Sequence, residues 1–312
     1  MKTNKILVIF FATLSLTSCE AQTEKIEKTP TVDTYQNSHP EQFQKYWYAG
    51  LAEVSRYTLD QARYGSQHPG EAILIYVTED FLPEKQVKKE FGDEKGISVL
   101  KLNMVEKFVT GIYDYALMTS IFTPIDYRKN AATMKVSFSS QDWCGQSFAQ
   151  MNAREGKLNY QIRSYFQGEG DENISLPATY TEEDIWTRIR LEPQMLPLGK
   201  IEMVPSQKYL RLLHKELKAY SAEATLVLQV YDSKEKAETY IYTLKYPELN
   251  RELKICTESK FPFKILWWEE KVGPNQVTKA TLDTTIMESY WEKNNPQDQG
   301  LRDSLNMQYQ IR

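Results

Sequence analysis

The sequence predicts a mainly β protein: a large curved antiparallel sheet that forms a barrel or half-shell, with one or two short helices. Three observations lead there. Several segments alternate apolar and polar residues with a period of two. Aromatic residues are plentiful and glycine is scarce, with 20 Tyr, 12 Phe and 6 Trp against 13 Gly in 312 residues; that balance suits long strands whose side chains pack across a sheet. Helix signals are few. An antiparallel sheet of this extent curls to remove its edges.

The leader comes first. Lys2 and Lys5 precede the uncharged run Ile6–Leu16, which has the length of a secretory h-region and falls short of the ~20 residues a spanning helix needs. Leu16, Thr17 and Ser18 then lead into Cys19. This resembles the bacterial lipobox, which implies cleavage after Ser18, diacylation of the Cys19 thiol and acylation of the new amino group. Several acyl chains, at ~0.8 kcal/mol per buried methylene, anchor stably where one does not. Glu20 is not the aspartate associated with inner-membrane retention, so the expected address is the outer membrane of a cell envelope, with the leaflet open. Residues 1–18 are thus a signal peptide. Residues 19–40 are polar, hold two prolines and read as a lipidated flexible tether. Residues 41–312 form a single mainly β domain, or two coupled halves.

Within that body, Leu158, Tyr160 and Ile162 share one face of a strand, as do Tyr240, Tyr242, Leu244 and Tyr246, and Ala280, Leu282, Thr284 and Ile286. Ala72–Val77 (AILIYV) is apolar throughout and reads as covered on both faces. Further strands are expected near 51–63, 97–103, 105–113, 115–122, 132–140, 199–204, 224–231, 251–257 and 262–269. The best helix is TEEDIWTRIRL, with Thr181 as cap, Glu182–Asp184 in the electropositive first turn and an apolar face of Ile185, Trp186 and Ile189. Ser206–Leu217 suggests a second, with Tyr209, Leu210 and Leu213 inward.

Tyr46–Gly65, Leu196–Pro205 and Phe261–Glu270 together resemble landmarks of uncharacterised envelope lipoproteins, some of which carry the label septum formation inhibitor Maf. Maf pyrophosphatases have a Ser-Pro-Arg-Arg-like signature, and no such string occurs in this sequence. The landmarks are more distantly similar to periplasmic β-spiral proteins and lipoprotein-carrier barrels, which implies a concave apolar interior.

Chemistry-bearing residues are sparse. With Cys19 given to lipid, Cys144 and Cys256 remain, and in an oxidising envelope an even pair invites a disulfide. Alternation places Cys256 with Glu252, Lys254 and Glu258 on a polar face, which a bridge would explain. The string SSQDWCGQSF offers the alternative: a cysteine-dependent hydrolase or transferase centred on Cys144, with His68 or His214 as base and Gln146 or a backbone N–H at the oxyanion. The histidines His39, His68 and His214 are scattered without metal-ligand spacing, so no metal and no cofactor is expected. The 38 basic and 42 acidic residues are interspersed, which excludes a basic nucleic-acid stripe. The expected function is a non-catalytic binding, carrier or scaffold module, held to the membrane by its lipid anchor, for a lipid, glycan or envelope-protein ligand.

Overall fold

The computed structural model describes residues 22–26, 40–126, 132–230 and 238–307. The leader and Cys19 lie outside them, as does His39.

The elements in chain order are β1 (Gln22–Ile26), α1 (Pro40–Trp47), β2 (Ala52–Arg63), β3 (Ser66–Leu82), β4 (Val87–Lys88), β5 (Ile97–Thr110), β6 (Tyr113–Pro124), β7 (Lys135–Asp142), β8 (Gly145–Arg154), β9 (Lys157–Ser164), β10 (Asp171–Pro177), β11 (Tyr180–Thr181) and α2 (Glu182–Leu191). There follow β12 (Gly199–Val204), α3 (Gln207–Leu212), β13 (Tyr220–Val230), β14 (Glu238–Tyr246), β15 (Arg251–Glu258), β16 (Ile265–Val272), β17 (Gln276–Glu288) and α4 (Leu301–Ser304). Antiparallel pairing runs without a break from β12 through β13–β17, then to β2, β3 and β5, and on through β6–β10. Between β10 and β12 no paired register closes the ring among the described residues, so the sheet is an open shell. Across that seam the Thr179 hydroxyl donates to the Glu202 carbonyl at 2.7 Å.

Alternation explains most strands. Ala72, Leu74 and Tyr76 point into the main core, while Ile73 and Val77 join an outer cluster with Ala52, Val54 and Leu305. The expected double coverage of AILIYV therefore holds, and the outer cover is the C-terminal segment around α4.

Several expectations need correction. Residues 22–26, read as part of a free tether, form a strand that pairs with Leu226–Val230 of β13, just past the Tyr220–Ala224 stretch taken by β12; Ile26 packs against the main core. The two strands expected over 97–113 are one, β5, because alternation runs on through Asn103 and Met104. The face assigned to β17 breaks at a bulge between Leu282 and Thr284. Leu282 therefore packs on the inner core and Ile286 on the outer cluster.

The interior is occupied by α2, all ten of whose residues are buried. Its apolar face behaves as expected: Trp186 meets Trp268 edge-on at 5.2 Å. Its charged residues are buried too, and Arg190, Glu182 and Asp184 each meet a partner from the wall. Arg190 donates through both Nη atoms to the two oxygens of Glu53 at 2.6 Å and through Nε to the Pro262 carbonyl at 3.1 Å. Tyr46 donates to the same carboxylate, and Tyr76 and Trp47 stack on the guanidinium at 4.6 and 5.2 Å. Glu182 receives a forked pair from Arg251 and a hydroxyl from Tyr246. Asp184 is held by Arg188 and Thr133. Thr181 occupies the N-cap position but makes no side-chain cap bond. Instead Glu183 takes the backbone N–H of Gln207 at 2.7 Å.

The buried carboxylates titrate in opposite directions. Burial alone would raise Glu53, but the charge and hydrogen bonds of Arg190 outweigh it and hold the group below its ordinary range. Glu183 has no such cation, and burial lifts it from 4.5 to about 8. Because the folded value lies above the unfolded one, its stabilising effect is complete below about pH 4.5 and is lost as pH rises towards 8, at up to about 1.4 kcal/mol per pH unit.

Two outcomes follow. Glu53→Gln leaves Arg190 buried without a counter-charge, and the denaturant midpoint should report a loss of ~3–5 kcal/mol. Glu183→Gln should flatten the decline in stability between about pH 5 and pH 8; an unchanged slope would assign that decline to another group.

Candidate functional site

The hairpin turns divide the shell into two ends. At one end lie the turns β2–β3, β5–β6, β7–β8, β9–β10, β14–β15 and β16–β17; at the other lie β8–β9, β13–β14 and β15–β16. Between the ends of β7–β10 and the segment from α3 to β13, the first end opens into a cleft of about 940 Å³. Its walls include Phe138, Ala149, Ile162, Leu176 and Leu210, all members of the main core or packed against it. The cleft thus continues the inner apolar face where α2 no longer fills it.

The polar groups of the cleft cluster on one side. Arg211, on α3, donates from Nε to Ser147 Oγ at 2.7 Å and lies over the Phe166 ring at 4.3 Å. Glu169 comes from the β9–β10 turn. It accepts from Ser164 at 2.7 Å, pairs with His214 Nδ1 and stands 3.9 Å from Arg211 Nε. His214 has φ +50°, the left-handed conformation that ends α3 and turns the chain toward β13. Of the residues expected inward on that helix, Tyr209 and Leu210 are buried and Leu213 is half-buried, yet Arg211 is buried beside them.

A second cavity, about 480 Å³, lies along the open seam and is lined in part by Leu158, Thr179, Tyr180, Arg188 and Ile201.

Cys144 sits in the β7–β8 turn, exposed and free. Asp142 Oδ1 accepts from the N–H groups of Cys144 and Gly145 at 2.8 and 3.2 Å, an Asx turn. Gly145 is required there, since a Cβ would stand 2.5 Å from the Tyr165 ring. Tyr165 is the neighbour of the Cys144 thiol, and burial first, then the thiol, raises its phenol. The histidines named as possible bases are engaged elsewhere: His68 with the Arg63 carbonyl at 3.0 Å, His214 with Glu169. Among the described residues no three His, Cys, Asp or Glu side chains converge as a metal site.

The expected Cys144–Cys256 bridge is absent; both cysteines are free, one exposed and one buried. Cys256 lies on β15 against Ile241 and Trp267, and β16, β17, β2, β3, β5 and β6 separate that strand from β7 along the sheet. Its polar-face assignment was half right: it does oppose Leu253 and Ile255, but it is buried all the same. Burial pushes its thiol up to about 11.

No family model matches the chain, and no curated protein does. Among solved structures it is similar to a beta-barrel-like protein of a domain of unknown function, DUF1849, from Brucella abortus, with a TM-score of 0.45 and 10% identity over 76% of this chain and 97% of that one. The Maf label finds no support in these comparisons.

Thiol alkylation of the native protein should modify Cys144 within the mixing time of a fast reagent, and Cys256 only on unfolding. Two protected thiols, or a non-reducing mass two protons lighter, would restore the bridge.

Proposed function

We propose that the protein is an envelope lipoprotein, tethered to the outer membrane through Cys19, that carries an apolar or amphipathic ligand in the cleft without chemical turnover. The observation that supports this most is the contrast inside the shell. One part is packed around α2, and the other is left as an apolar cleft of about 940 Å³, within the ~300–1,000 Å³ of small-molecule sites. A scaffold acting through its outer surface has no need of that space.

The position of β1 adds an orientation. Gln22 pairs with Val230, and three extended residues from Cys19 reach at most about 10 Å. The anchor therefore holds the Val230 end of β13 against the bilayer. The cleft, which includes Leu217 and Lys218 just before β13, opens at the far end of that strand, about 34 Å away at the usual rise. A carrier so held presents its mouth away from its own membrane. The rival reading, a hydrolase or transferase built on Cys144, lacks a base beside the thiol among the described residues.

Two measurements test the proposal. Cys19→Ala should move the protein from detergent-requiring membrane fractions to the soluble envelope fraction; a wild type that is already soluble and carries no acyl mass would remove the anchor. Native mass spectrometry of protein purified from its own membrane should show a co-purifying small amphiphile that leaves on unfolding. An empty cleft together with turnover of a thioester or peptide that vanishes in Cys144→Ser would replace the carrier with the enzyme.

A further inference from the structure

The shell contains two buried arginines whose forks are filled. Arg190 places both Nη atoms on Glu53, and Arg251 places both on Glu182. Each is a planar pairing of a guanidinium with two carboxylate oxygens, the arrangement this side chain is shaped for. Arg211 departs from that pattern. Its side chain is only 8% exposed, and it lines the cleft. Its hydrogen bond to Ser147 and its ion pair with Glu169 both use Nε. Among the described residues, neither Nη atom has a hydrogen-bond partner.

A guanidinium carries five donors, so a largely buried one held through Nε alone keeps its two Nη groups for a further acceptor. Glu169 cannot turn to fill the fork without losing its own partners: one oxygen accepts from Ser164 and the other meets His214. Ser147 and the stacked Phe166 ring fix the guanidinium plane from two sides. What is left is a held pair of Nη groups at the border of an apolar cleft, open to an acceptor that enters it.

We infer that Arg211 is the head-group site of the cleft, and that the ligand is a single-chain anionic amphiphile. Its carboxylate or phosphate oxygens bridge the two Nη atoms, and its alkyl chain lies along Phe138, Ala149, Ile162, Leu176 and Leu210. Lys215 and Lys218 also line the cleft and add positive potential near the head group, offset by Glu172 and Glu216 on the same lining. The inference rests on the reading of the cleft as a ligand site and adds to it the chemistry of the ligand. A neutral or cationic amphiphile would leave the fork as empty as it is now.

The test uses the full chain carrying Cys19→Ala, so that no detergent competes. Dodecanoate, dodecyl phosphate, 1-dodecanol and dodecyltrimethylammonium are titrated against a fluorescent alkyl probe bound in the cleft. Both anions should displace the probe at least about tenfold more tightly than dodecanol, as expected for hydrogen bonds to a charged partner, with dodecyltrimethylammonium weakest. The stronger of the two anions identifies the head group as carboxylate or phosphate. In Arg211→Gln that preference should fall to near unity, while the affinity for dodecanol stays within about twofold. Because Arg211 is buried, Ser147→Ala serves as the milder variant: it loosens the guanidinium and should reduce the anion preference without emptying the cleft. Equal affinity of the wild type for dodecanoate, dodecyl phosphate and dodecanol overturns the head-group assignment and leaves the carrier reading intact. Failure of all four to displace the probe overturns the carrier reading itself.

Discussion

The structure depends on enclosing a charged helix. Within ten residues α2 carries Glu182, Glu183, Asp184, Arg188 and Arg190, and all are buried. Such a helix cannot enter an apolar barrel by itself, because an unpaired buried charge costs several kcal/mol. The wall must therefore supply partners at fixed places. Glu53 at the start of β2, Arg251 at the start of β15 and Thr133 ahead of β7 do so. Since a buried ion pair roughly breaks even against a well-packed apolar substitute, the gain is in placement: only one depth and rotation of α2 satisfies Glu53, Arg251 and Thr133 at once. The order of charges agrees with the helix dipole, with carboxylates in the first turn and arginines toward the end.

That placement decides where the interior is full. The Arg190–Glu53 pair draws α1 in as well, through Tyr46 and Trp47, and the aromatic contacts among Tyr46, Phe43 and Phe261 close that region. At the opposite end α3 is short. It is capped by Ser206, whose hydroxyl accepts from the Tyr209 N–H, and it ends at Leu212 before His214 turns the chain away. Among the described residues nothing longer crosses the opening between α3 and β7–β10. The cleft is therefore a direct result of helix length, and Arg211, the buried base of its lining, is the last-turn base of that helix.

The open seam has its own logic. A fourteen-strand sheet left unclosed would expose two edges ready to pair with another chain. One edge is covered in two pieces, because β12 and β1 share β13 end to end. β11 adds a short parallel contact on β12, and Thr179 reaches across the seam to the Glu202 carbonyl. β10, the other edge, begins with three exposed polar residues, Asp171, Glu172 and Asn173. The N-terminal strand thus serves as an edge cover.

How far the sequence foretold this follows from which interactions are local. Period-two alternation is local, so β9, β14 and the double burial of Ala72–Val77 could be read directly. The first turn of α2 was legible for the same reason, through its acidic run. The burial of those acids was not, since Glu182 meets Arg251 from 69 positions away and Arg190 meets Glu53 across 137. A one-dimensional pattern assigns such residues to water. Arg211 was hidden in the same way: on a helix whose inward residues are expected to be Tyr209, Leu210 and Leu213 it reads as a solvated base, and Ser147, 64 positions earlier, helps turn it inward. An even number of cysteines is a local count, too, and it points wrongly here because a disulfide depends on distance across the sheet. The residues that matter most to the cleft are those where a charge breaks the local pattern, and a sequence shows that break without showing what repairs it.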